Sequence, residues 1–221
     1  MSQSRPIVFV VDDDISVRES LEDLIRHQGW VPETFATARE FLSRPRTFEA
    51  CCLILDVSLP DLNGLDLQTE IAADRIDMPI IFISGVGDVP MTVRAMKAGA
   101  IEFLTKPFGN EALLSAVRGA LERSHATRDT EEETRTLLER YASLSRRERQ
   151  VMALVVIGML NKQVGSELGI SEITVKAHRG RAMHKMGART FADLVNMAAK
   201  LRALPVIKAR SNDTQIDLAS E

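Results

Sequence analysis

The sequence predicts two folds in series: an α/β domain, doubly wound and built as (βα)5, followed by a small all-α domain. Three observations predict it. Short β-branched runs alternate with helical patterns through the first half, the mark of a parallel sheet covered on both faces. From residue 145 onward, helical patterns follow one another with glycines between them. Charge divides along the same line: residues 1–123 carry 12 basic and 19 acidic side chains, whereas residues 141–204 carry 11 basic and 4 acidic.

Five strand candidates lie in the first half: Ile7 to Val11, Val31 to Phe35, Cys52 to Asp56, Ile80 to Ser84 and Ile101 to Leu104. Each is followed by a segment of helical composition, which makes a doubly wound parallel sheet covered by helices on both faces the expected topology. The last of these helical segments runs from Asn110 without proline through Tyr141. Its heptad positions are apolar only at the two ends, so residues 124–142 read as a solvated helical linker rather than a coiled coil. The domains expected are therefore 1–123, the linker 124–142, and a helical domain over 143–204. A polar tail over 205–221 has no packing pattern and reads as disordered.

The second domain opens at Ser145, spaced from Glu148 as a capping box before Val151, Leu154 and Val155. Gly158, Gly169 and Gly187 punctuate the helices, and Ala192 to Leu204 supplies the last. Ser171 is placed to cap a helix reaching Met186. At 100° per residue Val175, His178, Ala182 and Met186 share its inward stripe, which makes His178 a structural residue. Ile173, Lys176, Ala177, Gly180 and His184 lie opposite, flanked by Arg179 and Arg181.

Composition bounds the function. With 45% hydrophobic and 27% charged residues among 221, the chain reads as an ordinary globular protein. No apolar run approaches the roughly 18 residues of a membrane span, and the start has no secretory pattern, so a cytoplasmic location is expected. Cys51 and Cys52 are adjacent and cannot staple distant segments; they read as reduced, buried strand residues. Trp30 reads as core.

Ligands of such sheets bind outside the carboxyl ends of the strands. Asp12 and Asp13 follow the first strand, Asp56 ends the third, Ser84 ends the fourth, and Lys106 follows the fifth. Clustered carboxylates repel unless a cation sits among them, and an oxygen-only set suits Mg2+ better than zinc. Asp56 is the candidate nucleophile toward a phosphoryl group, with Lys106 neutralising charge and Ser84 donating a hydrogen bond. Asp14 reads as a helix cap, and Asp61 and Asp66 as turn or solvated residues.

These residues stand in the motifs VVDDD (10–14), ILDVSLPDLNGLDL (54–67), SGVGDVPMTVRAMKAGA (84–100) and FLTKPF (103–108). Together they resemble the receiver domain of two-component response regulators, and of the FixJ branch in particular. The resemblance implies Asp56 as the phosphoacceptor and Asp13 with Asp56 as direct Mg2+ ligands, completed by the backbone carbonyl of Ser58. It implies that Asp12 acts through a metal-bound water and that Ser84 and Lys106 contact the phosphoryl oxygens. Ser84 and Phe103 match the family's switch pair, and Lys106-Pro107 its common cis peptide.

In the second domain a short helix (Lys162 to Leu168), a glycine turn and a helix with a basic outer face form a helix-turn-helix arrangement. Residues 144–188 resemble the LuxR-type DNA-binding domain of FixJ/NarL regulators. That resemblance places Lys176, Ala177 and Gly180 at base-reading positions and makes Ala192 to Leu204 a dimerising helix. Thr174, Arg179 and Arg181 complete the expected contacts with double-stranded DNA, the arginines chiefly to phosphates. Gly165 stands where alanine is usual, with no role legible in the sequence.

The reading is a transcription factor switched when a partner histidine kinase phosphorylates Asp56, forming a homodimer on DNA. Two alternatives stand beside it. An Asp-nucleophile phosphatase would carry a second aspartate at position 58, where this chain has serine. A phosphorylation-independent DNA-binding protein would use the receiver only as a dimerisation scaffold.

Overall fold

The computed structural model describes residues 5–204 apart from 46, 48, 75–77 and 86–87. The expected disordered tail therefore lies outside the described residues. Two compact units divide between Thr130 and Glu131.

The first unit alternates β1 (Ile7–Val11), α1 (Ile15–His27), β2 (Val31–Phe35), α2 (Ala38–Ser43), β3 (Cys51–Asp56), α3 (Gly64–Asp74), β4 (Ile80–Ser84), α4 (Val89–Lys97), β5 (Glu102–Thr105) and the start of α5 (Asn110–Ala142). The sheet is parallel with order β2-β1-β3-β4-β5. This is the doubly wound (βα)5 arrangement predicted. The third strand begins one residue early, and the fifth is shifted by one because its ladder starts where Glu102 pairs with Ile81.

Strand periodicity sorts the core into two layers. Phe9, Leu53, Leu55 and Phe82 pack with Ala38, Phe41, Leu67, Ile71 and Ala95 of α2, α3 and α4. Val8, Val10, Ile54, Ile81 and Ile83 pack with Leu21 and Ile25 of α1 and Leu113, Val117 and Leu121 of α5, and Trp30 is half-buried against them. Burying each large apolar side chain contributes about 1.5–3 kcal/mol. Every residue of β1, β3 and β4 is buried, which explains their unbroken apolar runs. Both cysteines are buried there.

Strand order reverses between β1 and β3, so the ligand crevice of this fold opens between their carboxyl ends. Val11 pairs with Leu55 across that junction. The next residue on each strand is an aspartate: Asp12 on one side and Asp56 on the other.

The second unit holds the end of α5 with α6 (Arg146–Val155), α7 (Asn161–Leu168), α8 (Glu172–Met186) and α9 (Phe191–Ala203). Leu137, Val151, Met152, Val164, Val175, Ala182, Met186, Leu194 and Leu201 form its core, with Leu138 and Tyr141 packed against it. Ser145 and Glu148 make the reciprocal capping box, and Ser171 caps α8. Between α7 and α8 the chain turns at Gly169, whose φ of 65° favours glycine. A Cβ on Gly165 would lie 2.7 Å from the carbonyl oxygen of Ile170. The glycine without a role in the sequence thus lets this turn fold back tightly on α7.

Candidate functional site

The crevice of the first unit brings Asp12, Asp56 and Lys106 into direct contact. Lys106 Nζ donates to Asp12 Oδ2 at 2.6 Å and to Asp56 Oδ1 at 2.9 Å. The second Asp56 oxygen accepts the Ser58 backbone N–H at 2.7 Å, and Asp12 Oδ1 accepts that of Asp14 at 2.9 Å. Asp12, Asp56 and Ser84 are buried, while Asp13 is exposed. Ser84 is joined to the lysine through the backbone, its carbonyl accepting the Lys106 N–H at 2.7 Å. The peptide between Lys106 and Pro107 is cis. Phe103 packs against the core with its ring 6.1 Å from that of Phe82.

Burial pushes the Asp12 carboxyl above its ordinary range, in spite of the hydrogen bonds from Lys106 and the Asp14 backbone. Among the described residues no three acidic, histidine or cysteine side chains already form a metal cage. The donor chemistry nonetheless fits a hard divalent ion. All available ligands are oxygen: two buried carboxylates, Asp12 and Asp56, share the Lys106 ammonium, and Asp13 follows Asp12 on the same loop.

Three supports of this crevice escaped the sequence reading. Arg18 on α1 donates from Nη1 to the carbonyls of Asp12 at 2.7 Å and Asp13 at 2.9 Å, fixing the loop that carries both acids. A Cβ on Gly64 would come within 2.5 Å of the Asp56 carbonyl oxygen, so the start of α3 can approach β3 only as glycine. Asp61, expected as a turn or solvated residue, accepts the backbone N–H groups of Ala38 at 3.1 Å and Arg39 at 3.0 Å and so caps α2. These contacts cross 22 residues or more for Asp61, beyond any local spacing rule. Asp14 caps α1 as expected, and Asp66 is an exposed partner of Arg94.

In the second unit α8 presents Ile173, Lys176, Ala177, Gly180 and Arg181 to solvent. Lys176 pairs with Glu172 one turn earlier at 3.0 Å. Thr174 is half-buried and shares its hydroxyl with the Ser171 cap at 2.8 Å. Arg179 lies at the flank, with its guanidinium carbon 4.6 Å from the centre of the Phe191 ring. His178 differs from expectation in being only half-buried. The residue sits at the edge of the inward stripe, and its Nδ1 is buried with no hydrogen-bond partner among the described residues.

The base of α8 is fastened to α6 by one ion pair. Lys185 Nζ donates to Glu148 Oε2 at 2.7 Å, while the Ser145 N–H donates to the same oxygen at 2.8 Å. These bonds, Lys185 first, hold the Glu148 carboxyl down at about 2.

Residues 8–118 match the family model for the response regulator receiver domain, and residues 142–198 match that for bacterial regulatory proteins of the luxR family. The chain is a DNA-binding response regulator of the FixJ/NarL family. It is 50% identical to nodulation protein W of Bradyrhizobium diazoefficiens over 90% of this chain and 88% of that protein. It is 42% identical to the transcriptional regulatory protein FixJ of Azorhizobium caulinodans over 90% of this chain and 93% of FixJ. Among solved structures it resembles that of the response regulator StyR, with a TM-score of 0.84 and 47% identity, covering 89% of this chain and all of that one. A response regulator of this kind is a transcription factor rather than a conventional enzyme. Its receiver implies a histidine kinase as partner and its helix-turn-helix implies DNA. Among the described residues no helix is long and apolar enough to cross a membrane.

Proposed function

We propose that Asp56 is the phosphoacceptor, and that its phosphorylation by a histidine kinase drives dimerisation and tighter DNA binding. The observation that carries this reading is the convergence of Asp56, Asp12 and Lys106 at the crevice where the strand order reverses. An Asp56 carboxylate oxygen attacks phosphorus, the P–N bond to the kinase histidine breaks, and its electron pair returns to the imidazole nitrogen. Lys106, already within hydrogen-bond reach of Asp56, neutralises charge on the transferred oxygens, and Ser84 supplies a hydroxyl to them. Asp13, Asp56 and the Ser58 carbonyl would hold Mg2+, with Asp12 acting through water; the ion would supply charge neutralisation at the phosphoryl oxygens. Ser84 and Phe103 form the switch.

In the second unit Lys176, Ala177 and Gly180 face the bases, while Thr174, Arg179 and Arg181 serve the phosphate backbone. Dimerisation then raises affinity by placing two such helices on paired half-sites at high effective concentration.

The test compares wild type with Asp56→Asn, each with Mg2+ and a small-molecule phosphodonor, for oligomer mass and DNA affinity. Wild type should dimerise and bind more tightly, and the variant should do neither. Equal DNA binding by both as dimers would replace the switch with a scaffold.

A further inference from the structure

The outward face of α8 begins with an apolar side chain. Ile173, the second residue of the helix, is 79% exposed. Ala177 follows four residues later on the same face and is also exposed, so the two are neighbours. One turn further on, a Cβ on Gly180 would meet nothing within 4 Å. The charged residues beside this pair, Glu172 and Lys176, are engaged with each other. The start of the face is therefore an apolar step of one large and one small side chain.

Helix formation does not explain Ile173, because a β-branched residue at an exposed helical position is a poorer helix former than alanine, leucine or lysine. Packing within its own domain does not explain it either, given its exposure. Isoleucine also has nothing to offer a phosphate. The N-terminal residues of a helix inserted in the major groove are those that reach base edges, and the apolar group displayed there is the thymine 5-methyl.

We propose that Ile173, backed by Ala177, reads a thymine methyl group in each half-site and is a specificity-determining residue of this regulator. The inference rests on α8 being the helix that enters the major groove. A thymine is accepted at that position because its methyl covers apolar surface that cytosine or a purine would leave facing polar base edges.

The experiment uses the full chain treated with phosphodonor and Mg2+. Binding sites are first selected from a randomised duplex pool by wild type, Ile173→Ala and Lys176→Ala. Each thymine of the wild-type site is then replaced singly by deoxyuridine, which removes only the methyl group. At one thymine per half-site the replacement should weaken wild-type binding about fourfold, the effect of withdrawing one buried methyl. It should leave Ile173→Ala unchanged, and the site selected by that variant should no longer require thymine there. If deoxyuridine is neutral at every position, or costs the variant as much as wild type, the proposal falls. Lys176→Ala separates this failure from a wrong helix: a variant selecting the wild-type site unchanged would overturn the placement of α8 itself.

Discussion

Each unit contains a buried carboxylate bonded to a lysine, at 2.6 Å for Asp12 and Lys106 and at 2.7 Å for Glu148 and Lys185. Their electrostatics are opposite. Burial raises the Asp12 carboxyl, whereas hydrogen bonds from Lys185 and Ser145 lower that of Glu148 to about 2. The difference lies in the balance of burial against hydrogen bonding: burial outweighs the bonds from Lys106 and the Asp14 backbone at Asp12, whereas the bonds from Lys185 and Ser145 outweigh burial at Glu148. Lys106 is divided between two carboxylates, with a third exposed beside them, and Lys185 serves one carboxylate and the Ser143 carbonyl. A site proposed to take up a phosphoryl group shares one lysine between two carboxylates, while a fastening between helices has a lysine for its single carboxylate. In the receiver, support and chemistry thus share the same side chains; in the DNA-binding unit they are separate.

Replacing Lys106 should have the largest effect and strike both properties together. Lys106→Met leaves two buried carboxylates without their cation, which should cost about 2–3 kcal/mol of stability and abolish most phosphorylation by a small-molecule donor. Thermal melts with and without Mg2+ sharpen the point. The deficit should shrink when the divalent ion is present, because it replaces the missing positive charge. A melt indifferent to Mg2+ in this variant would argue against these oxygens as the metal's ligands.

Glu148→Gln should be smaller and should touch stability alone, by about 1–2 kcal/mol for a charge-assisted hydrogen bond lost. The sign of its pH dependence follows from a carboxyl lower in the folded chain than its ordinary 4.5. The wild-type advantage is fully present above about pH 4.5 and is lost as pH falls toward 2. Melts of both chains across that window should converge at the acid end. DNA affinity measured well below the melt should be unchanged, since neither Glu148 nor Lys185 lies on the outward face proposed for α8.

The same separation explains what could be read from the sequence. Strand and helix periodicity, capping spacings and the aspartates at strand ends are local patterns, and they gave the (βα)5 fold, the helical domain, the caps of α1, α6 and α8, and the crevice residues. Arg18 on the carbonyls of Asp12 and Asp13, Asp61 on the start of α2, and Phe191 under Arg179 depend on which elements pack together. No spacing rule reaches them. Gly64 and Gly165 were visible as glycines, but the backbone atoms a side chain would strike belong to neighbouring elements brought close only by folding.

Glycine supplies the finest test, because two glycines of the helix-turn-helix make opposite demands. A Cβ on Gly165 meets the Ile170 carbonyl at 2.7 Å, and one on Gly180 meets nothing. Gly165→Ala should therefore lose about 1–2 kcal/mol through backbone displacement. Gly180→Ala should gain about 1 kcal/mol, the ordinary advantage of alanine over glycine inside a helix. If Gly180 is retained so that the α8 backbone can approach the groove, the more stable variant should bind DNA more weakly, with its Tm and its Kd both rising. A Gly180→Ala chain that is more stable and binds equally well would show that the face of α8 is not pressed against DNA at this turn, and would confine base contact to Ile173, Lys176 and Ala177.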